Sequence, residues 1–278
     1  MNDKQNIAIL LRGHVKKSLD NDKLVNYING LANLYNIDLY ISTWNVREVR
    51  SNDTWRPHKN TLISNDDYTV TESKIRKYFS NCNITLKKIS IFDDLKIKLY
   101  GELSGNVSGG NCPRLGWKKM WFGIFQGIKS IVETQINYDA IVNTRFDINE
   151  LPTWEHYYAS PEKTLKKTKC GIEFFFKNRI NSIVFPGFVR QANSWRSDPT
   201  KKHLFSVNDG QIGIDNLYVG ELYKMHKLVS EFQYNLLKIE NKFRGNRIHE
   251  VLVLKYSKNL EFTDQKSKIV NEQGNIQR

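Results

Sequence analysis

Cysteine is scarce: Cys82, Cys112 and Cys170 are the only three in 278 residues, and they stand far apart. They make no C-x-x-C pair and no even-numbered framework, so neither a thiolate zinc site nor a disulfide-stapled scaffold is indicated. Small buried filler in a reducing compartment is the expected role of each. Long apolar runs are also missing, and none approaches the ~20 residues that a bilayer crossing needs. The start, Met1 to Asn6, is polar, and the apolar run after it is cut by Arg12, which is not the layout of a secretory signal. No internal repeat and no domain linker can be read. Together these absences lead to the expectation of a soluble, cytoplasmic protein with no transmembrane segment, peripheral membrane association remaining open.

What is present is a globular composition, 40% apolar and 12% aromatic, long enough to bury a sizeable core. The formal charge of +13 admits two readings, a lysine-rich solvated surface or a phosphate-bearing ligand. Nucleic acid is not expected as a partner, because Lys and Arg are dispersed. Their densest cluster, Lys163 to Lys169, reads as a solvated loop.

Ile7 to Leu11 is an apolar β-type run ending in Arg12-Gly13-His14. Leu24, Tyr27, Ile28, Leu31 and Leu34 have helical spacing, with Asp20 or Asn21 as the cap. Ile37 to Trp44 reads as a second strand, which completes a βαβ unit with parallel neighbours. Thr71 to Phe79 reads as a short helix and Ile84 to Ile91 as a third strand. Gly101 to Gly116 reads as a mobile loop without a phosphate-cradling spacing. Trp117 to Val132 is the strongest helix pattern, with Met120, Ile124, Ile128 and Ile131 along one side. It leads into Tyr138 to Asp147, which reads as a buried-type strand whose last residues turn abruptly charged. Short strands at Ile172–Phe176 and Ile183–Phe188, a helix over 216–237 and a last helix over 248–256 complete the expectation of an α/β fold.

In open α/β sheets, ligands sit beyond the carboxyl ends of the strands. Arg12-Gly13-His14, Thr43-Trp44-Asn45 and Arg145-Phe146-Asp147 are three such ends, and in a parallel sheet they converge. Gly13 allows close backbone approach and Arg12 can meet phosphate. Arg145 and Asp147, two apart, point to one side if the chain is extended there. They can serve a diphosphate and a divalent cation, or form a structural pair. Lys118 and Lys119 near a helix start oppose the macrodipole, which a bound anion would explain, as would simple solvation. Asp209, in the turn-forming Asn208-Asp209-Gly210, can present a base on a loop, and His249-Glu250 can contact an acceptor or cap a helix.

Ile9-Leu10-Leu11-Arg12-Gly13-His14, Asp38 to Trp44, Lys119-Met120-Trp121 and Tyr138 to Asp147, in this order, resemble GT-A-type glycosyltransferases of bacterial surface-polysaccharide loci and large DNA viruses. The likeness covers roughly the first 150 residues and continues weakly through Asn208-Asp209 and His249-Glu250. It implies a GT-A-like single domain with a mostly parallel, Rossmann-like sheet over 1–262, followed by a polar tail, 263–278. Residues 1–150 would form the nucleotide-sugar half and 151–262 the acceptor half. The donor, a UDP-sugar in the favoured reading, would lie against Arg12, Gly13, His14, Trp44, Lys118, Arg145 and Asp147. A glycan or glycoprotein acceptor would lie near His249 and Glu250. Asp209 would be the base of an inverting transfer, with Asp215 and Glu250 in reserve. Asp147 would hold Mn²⁺ or Mg²⁺, although Arg145 stands where the usual Asp-x-Asp motif has its first acid. A nucleotidyltransferase, which needs a pair of metal-binding acids, and a basic binding protein for nucleic acid or an anionic surface are the alternatives.

Overall fold

The computed structural model describes residues 4–47, 68–110, 112–149, 161–178, 183–185, 190–191, 211–212, 216–243, 252–253, 255–257, 268–270 and 276–277. In chain order these include β1 (Asn6–Arg12), α1 (Lys23–Ala32), β2 (Asn36–Trp44), α2 (Glu72–Tyr78), β3 (Thr85–Phe92), α3 (Arg114–Val132) and β4 (Ala140–Arg145). Then come α4 (Pro161–Asn178), β5 (Ile183–Phe185), β6 (Arg190–Gln191), β7 (Gln211–Ile212), β8 (Leu217–Gly220), α5 (Leu222–Tyr234), α6 (Leu236–Lys242), β9 (Lys268–Val270) and β10 (Ile276–Gln277). Among the described residues eight strands form one sheet in the order β10-β9-β5-β8-β4-β1-β2-β3, and β6 pairs with β7 apart from it.

The expected βαβ unit is there. β1 pairs in parallel with β2 from Asn6↔Asn36 to Arg12↔Ser42, and with β4 from Ile7↔Ala140 to Arg12↔Arg145. β3 joins β2 in parallel, so four strands run one way before β8 reverses against β4. Strands covered on both faces need apolar residues of both parities, and that is what β1 supplies. Ala8 and Leu10 face one core with Tyr40, Trp121, Ile128 and Phe232, while Ile7, Ile9 and Leu11 face the other with Leu24, Ile28 and Ile41. The result is an α/β sandwich, with α3 and α5 packed on one face and α1 and α4 on the other. Trp121 stacks on Phe232 at 4.3 Å, a contact between α3 and α5 that adds ~1 kcal/mol beyond its buried area.

Local chemistry explains several boundaries. The Thr71 hydroxyl accepts from the Lys74 N–H at 3.3 Å and starts α2. The Asn21 carboxamide oxygen accepts from the Lys23 N–H at 3.0 Å at the head of α1, while Asp20 is drawn off to Arg47. No described helix is long and apolar enough to cross a membrane.

Four expectations need correction. Ile172 to Phe176 is not a strand but part of α4, because Thr164, Lys167, Thr168, Ile172 and Phe175 bury at helical spacing; a short, mostly apolar stretch alone cannot tell the two apart. The Lys163 to Lys169 cluster therefore lies on α4 rather than a loop, with Lys167 buried. The helix expected over 216–237 begins with β8, which is buried and paired on both sides, before α5 starts at Leu222. The glycine-rich stretch is pinned: Arg114 binds the Ser104 carbonyl at 2.9 Å and Glu240 of α6 at 3.1 Å, and Glu240 also accepts from the Ser108 N–H. Residues 248–251 and 186–188 of two other expected elements lie outside the described residues.

Candidate functional site

The three strand ends named from the sequence lie side by side, since Arg12 is in register with both Ser42 and Arg145. Beyond β1 the chain turns at Gly13, whose φ of +89° disfavours any residue with a side chain. A Cβ built there meets nothing within 4 Å, so the space in front of this turn is open. The turn is braced by the Thr43 hydroxyl, which donates to the Gly13 carbonyl at 2.7 Å, and by the Gly13 N–H, which donates to Ser42. Five residues on, the Ser18 hydroxyl donates to the Phe146 carbonyl at 3.0 Å and ties the loop to the end of β4.

Arg145 and Asp147 do meet, though not as an extended chain would bring them together. Asp147 sits in a 3₁₀ turn, Phe146–Asn149, which folds its carboxylate back under the guanidinium. Arg145 Nε and Nη2 each donate to one carboxylate oxygen at 2.7 Å, and Lys16 Nζ reaches Oδ2 at 2.5 Å. The Asp147 side chain is only 3% exposed, whereas Lys16 is 38% and Arg145 25% exposed. Burial alone would raise the carboxyl pKa, but the charges and hydrogen bonds of Arg145 and Lys16 outweigh it and hold the group well below the usual carboxylate range. Arg145 Nη1 also donates to the Asn216 side chain at 3.1 Å, fixing the fork from the β8 side.

His14 lies over Trp44, ring centroids 5.8 Å apart. Trp44 itself is buried, packed on Phe92 and Phe122, so it forms the back wall beneath the histidine. The His14 Nε2 is buried and has no hydrogen-bond partner among the described residues. Burial first, then the charges of Lys16, Arg145 and Lys119, push this imidazole down to about 3 against the opposing pull of Asp147. It is neutral at pH 7. Lys119 sits across from it on α3, 3.7 Å from the buried Asp94 carboxylate.

Two expected residues stand elsewhere. Arg12 is 2% exposed, its Nε bonded to Asn143 at 3.2 Å and its guanidinium 6.0 Å from the Tyr218 ring, so it underlies the site instead of lining it. Lys118 is buried and donates to the Tyr100 carbonyl, next to Arg114 and Glu240. The lysines of α3 thus have protein partners, and no bound anion is needed to explain them. Asp209, Asp215, His249 and Glu250 lie outside the described residues.

The donor set does not fit a divalent cation. Of the two described carboxylates at the strand ends, Asp94 faces Lys119, while Asp147 has both oxygens engaged, so an incoming ion would have to displace Lys16 and face Arg145. No group of three His, Cys, Asp or Glu suited to a metal occurs among the described residues. Sequence reading missed Lys16, Asp94 and Asn216, and of the two lysines it named on α3 it carried only Lys118 to the donor. For Lys119 a signal existed: Phe122 and Gly123 lie three and four residues on, and both face Trp44. Lys16, past an irregular turn, had none.

Neither protein-family models nor curated proteins give a match to this chain.

Proposed function

We propose that this protein is a GT-A-like glycosyltransferase that moves a sugar from a nucleotide-sugar donor, a UDP-sugar in the favoured case, to a hydroxyl of a glycan or glycoprotein. The observation that carries the proposal is the convergence of three parallel strand ends on one polar crevice. There an open glycine turn, a neutral histidine with an unpartnered nitrogen and several cations stand together above a tryptophan wall. This is where a doubly wound sheet takes nucleotide ligands. Residues 1–150 supply the donor side and 151–262 the acceptor side.

In the proposed reaction the acceptor oxygen attacks the anomeric carbon, and the bond to the diphosphate oxygen breaks with its electron pair. Asp209 takes the hydroxyl proton, and the anomeric configuration inverts. His14 can hydrogen-bond a neutral donor group, and Arg145 and Lys16 can neutralise charge on the leaving group. Asp209→Asn keeps the size and hydrogen bonding of the side chain but removes its basicity. It should cut turnover ~100-fold with donor affinity unchanged.

The test is thermal shift with UDP, GDP and a short DNA duplex, followed by incubation with a panel of nucleotide sugars and a readout of donor hydrolysis. Stabilisation by a nucleotide and turnover of one donor are expected. Stabilisation by DNA alone would replace this reading with a nucleic-acid-binding one.

A further inference from the structure

Strand ends of this kind hold an excess of positive charge. Arg12, Lys16, Lys119 and Arg145 gather there, against the two carboxylates Asp94 and Asp147. We propose that the crevice binds a diphosphate directly, without a divalent cation, and that Lys16 and Lys119, with the Asp147-anchored Arg145, supply the charge a metal would otherwise bring. This rests on the nucleotide-sugar reading above and states how that site neutralises its ligand.

Three features support it. Asp147 is committed to protein cations through both oxygens, so the residue expected to hold a metal instead aligns Lys16 and Arg145 side by side. Lys16 is held at its base as well: its φ is +46°, its N–H donates to the Arg47 carbonyl at 3.0 Å, and its own carbonyl accepts from Arg47 Nε. A cation ordered in advance loses less freedom when an anion arrives. The third feature is His14, whose buried Nε2 lacks a partner among the described residues, beside these cations, and stays in its neutral form. A buried polar atom left unsatisfied costs ~1–3 kcal/mol unless a ligand or water meets it, which marks this corner as one that receives a polar group. Lys16 remains 38% exposed while touching Asp147, so an anion can reach its ammonium without dismantling the pair.

The experiment is titration calorimetry on the full chain with inorganic pyrophosphate and with UDP, in EDTA and in Mn²⁺, at two salt concentrations. Both probes should bind in EDTA, more weakly as salt rises. Lys16→Met and Lys119→Met should each weaken binding about tenfold, the worth of one charge-assisted hydrogen bond, and Lys16→Arg should restore it. If Lys16→Met does not fold, Lys119→Met carries the comparison. Binding in Mn²⁺ only would overturn the inference and leave the donor reading standing. Binding in EDTA that neither Met variant weakens would also overturn it. Metal-free pyrophosphate binding lost in the variants, with UDP no tighter than pyrophosphate and no donor hydrolysed, would uphold the inference and sink the donor reading. No binding under any condition would sink both.

Discussion

The two ends of the parallel strands are built on opposite rules. At the amino ends, the described polar groups pair with one another. The Tyr138 hydroxyl donates to Asp38 at 2.7 Å and contacts the Tyr40 hydroxyl at 2.8 Å, Lys87 lies 3.4 Å from Asp38, and Asp139 accepts from the Asn6 N–H. At the carboxyl ends, among the described residues, cations outnumber carboxylates and the His14 Nε2 is left unsatisfied. The same strands carry both ends, so strand formation does not require the imbalance. A sheet edge closed on itself serves stability, and one left charged is suited to a partner.

That contrast can be broken from the charged side first. Asp147→Asn should cost about 2–3 kcal/mol in a denaturant melt, because two cations crowded on one buried carboxylate lose their counter-charge while keeping some contact with water. An unchanged melt would mean that the Lys16–Asp147–Arg145 cluster does not hold the β4 end. The linked acid dependence has a definite sign. A carboxyl whose folded pKa is depressed adds stability that is fully present above the unfolded value of about 3.9 and is lost as pH falls below it. Asp147→Asn should therefore flatten the stability profile below about pH 4.

His14 gives the next effect. Its pKa is pushed down from 6.5 to about 3, so the unfolded chain binds the proton more readily, and stability declines as pH drops through the window from 6.5 towards 3. Between pH 7.5 and 5.5 the wild type should lose about 1 kcal/mol that His14→Gln does not, read from urea midpoints at the two pH values. On the balanced edge, Tyr138→Phe removes one hydroxyl from a chain in which Asp38 still has Lys87; about 1 kcal/mol, independent of pH from 5 to 8, is expected in the same melts. The smallest effect is Glu133→Gln, which breaks an exposed pair with Lys88 and should leave the melting temperature where it was.

Legibility followed the same division. β1, β2 and β4 could be read because each carries closely spaced apolar residues of both parities, and their polar ends marked the candidate site. β5, three residues long, was still read within Ile183–Phe188, whereas β8, four residues long, owes its state to pairing with distant strands, which no local pattern records. Lys118 was favoured over Lys119 because both stand near a helix start. Only the helical phase, set by Phe122 and Gly123 against Trp44 and Ser42, separates the lysine turned to the strand ends from the one turned to Tyr100. The surroundings of Asp147 were illegible for a related reason: spacing gave its proximity to Arg145 but not the turn that closes the fork, nor Lys16 arriving from another loop.

The close seating of α3 on β1 has a mechanical side. A Cβ at Gly127 would fall 2.4 Å from a methyl of Leu10, a residue with no exposed surface and little room to swing aside. Lys119 rides on the same helix eight residues away, about 12 Å along the axis. The missing side chain at Gly127 therefore works as a spacer of zero thickness. It sets the height at which the helix carries its lysine over the strand ends, and any residue larger than glycine would act as a shim, lifting a charge that it never touches.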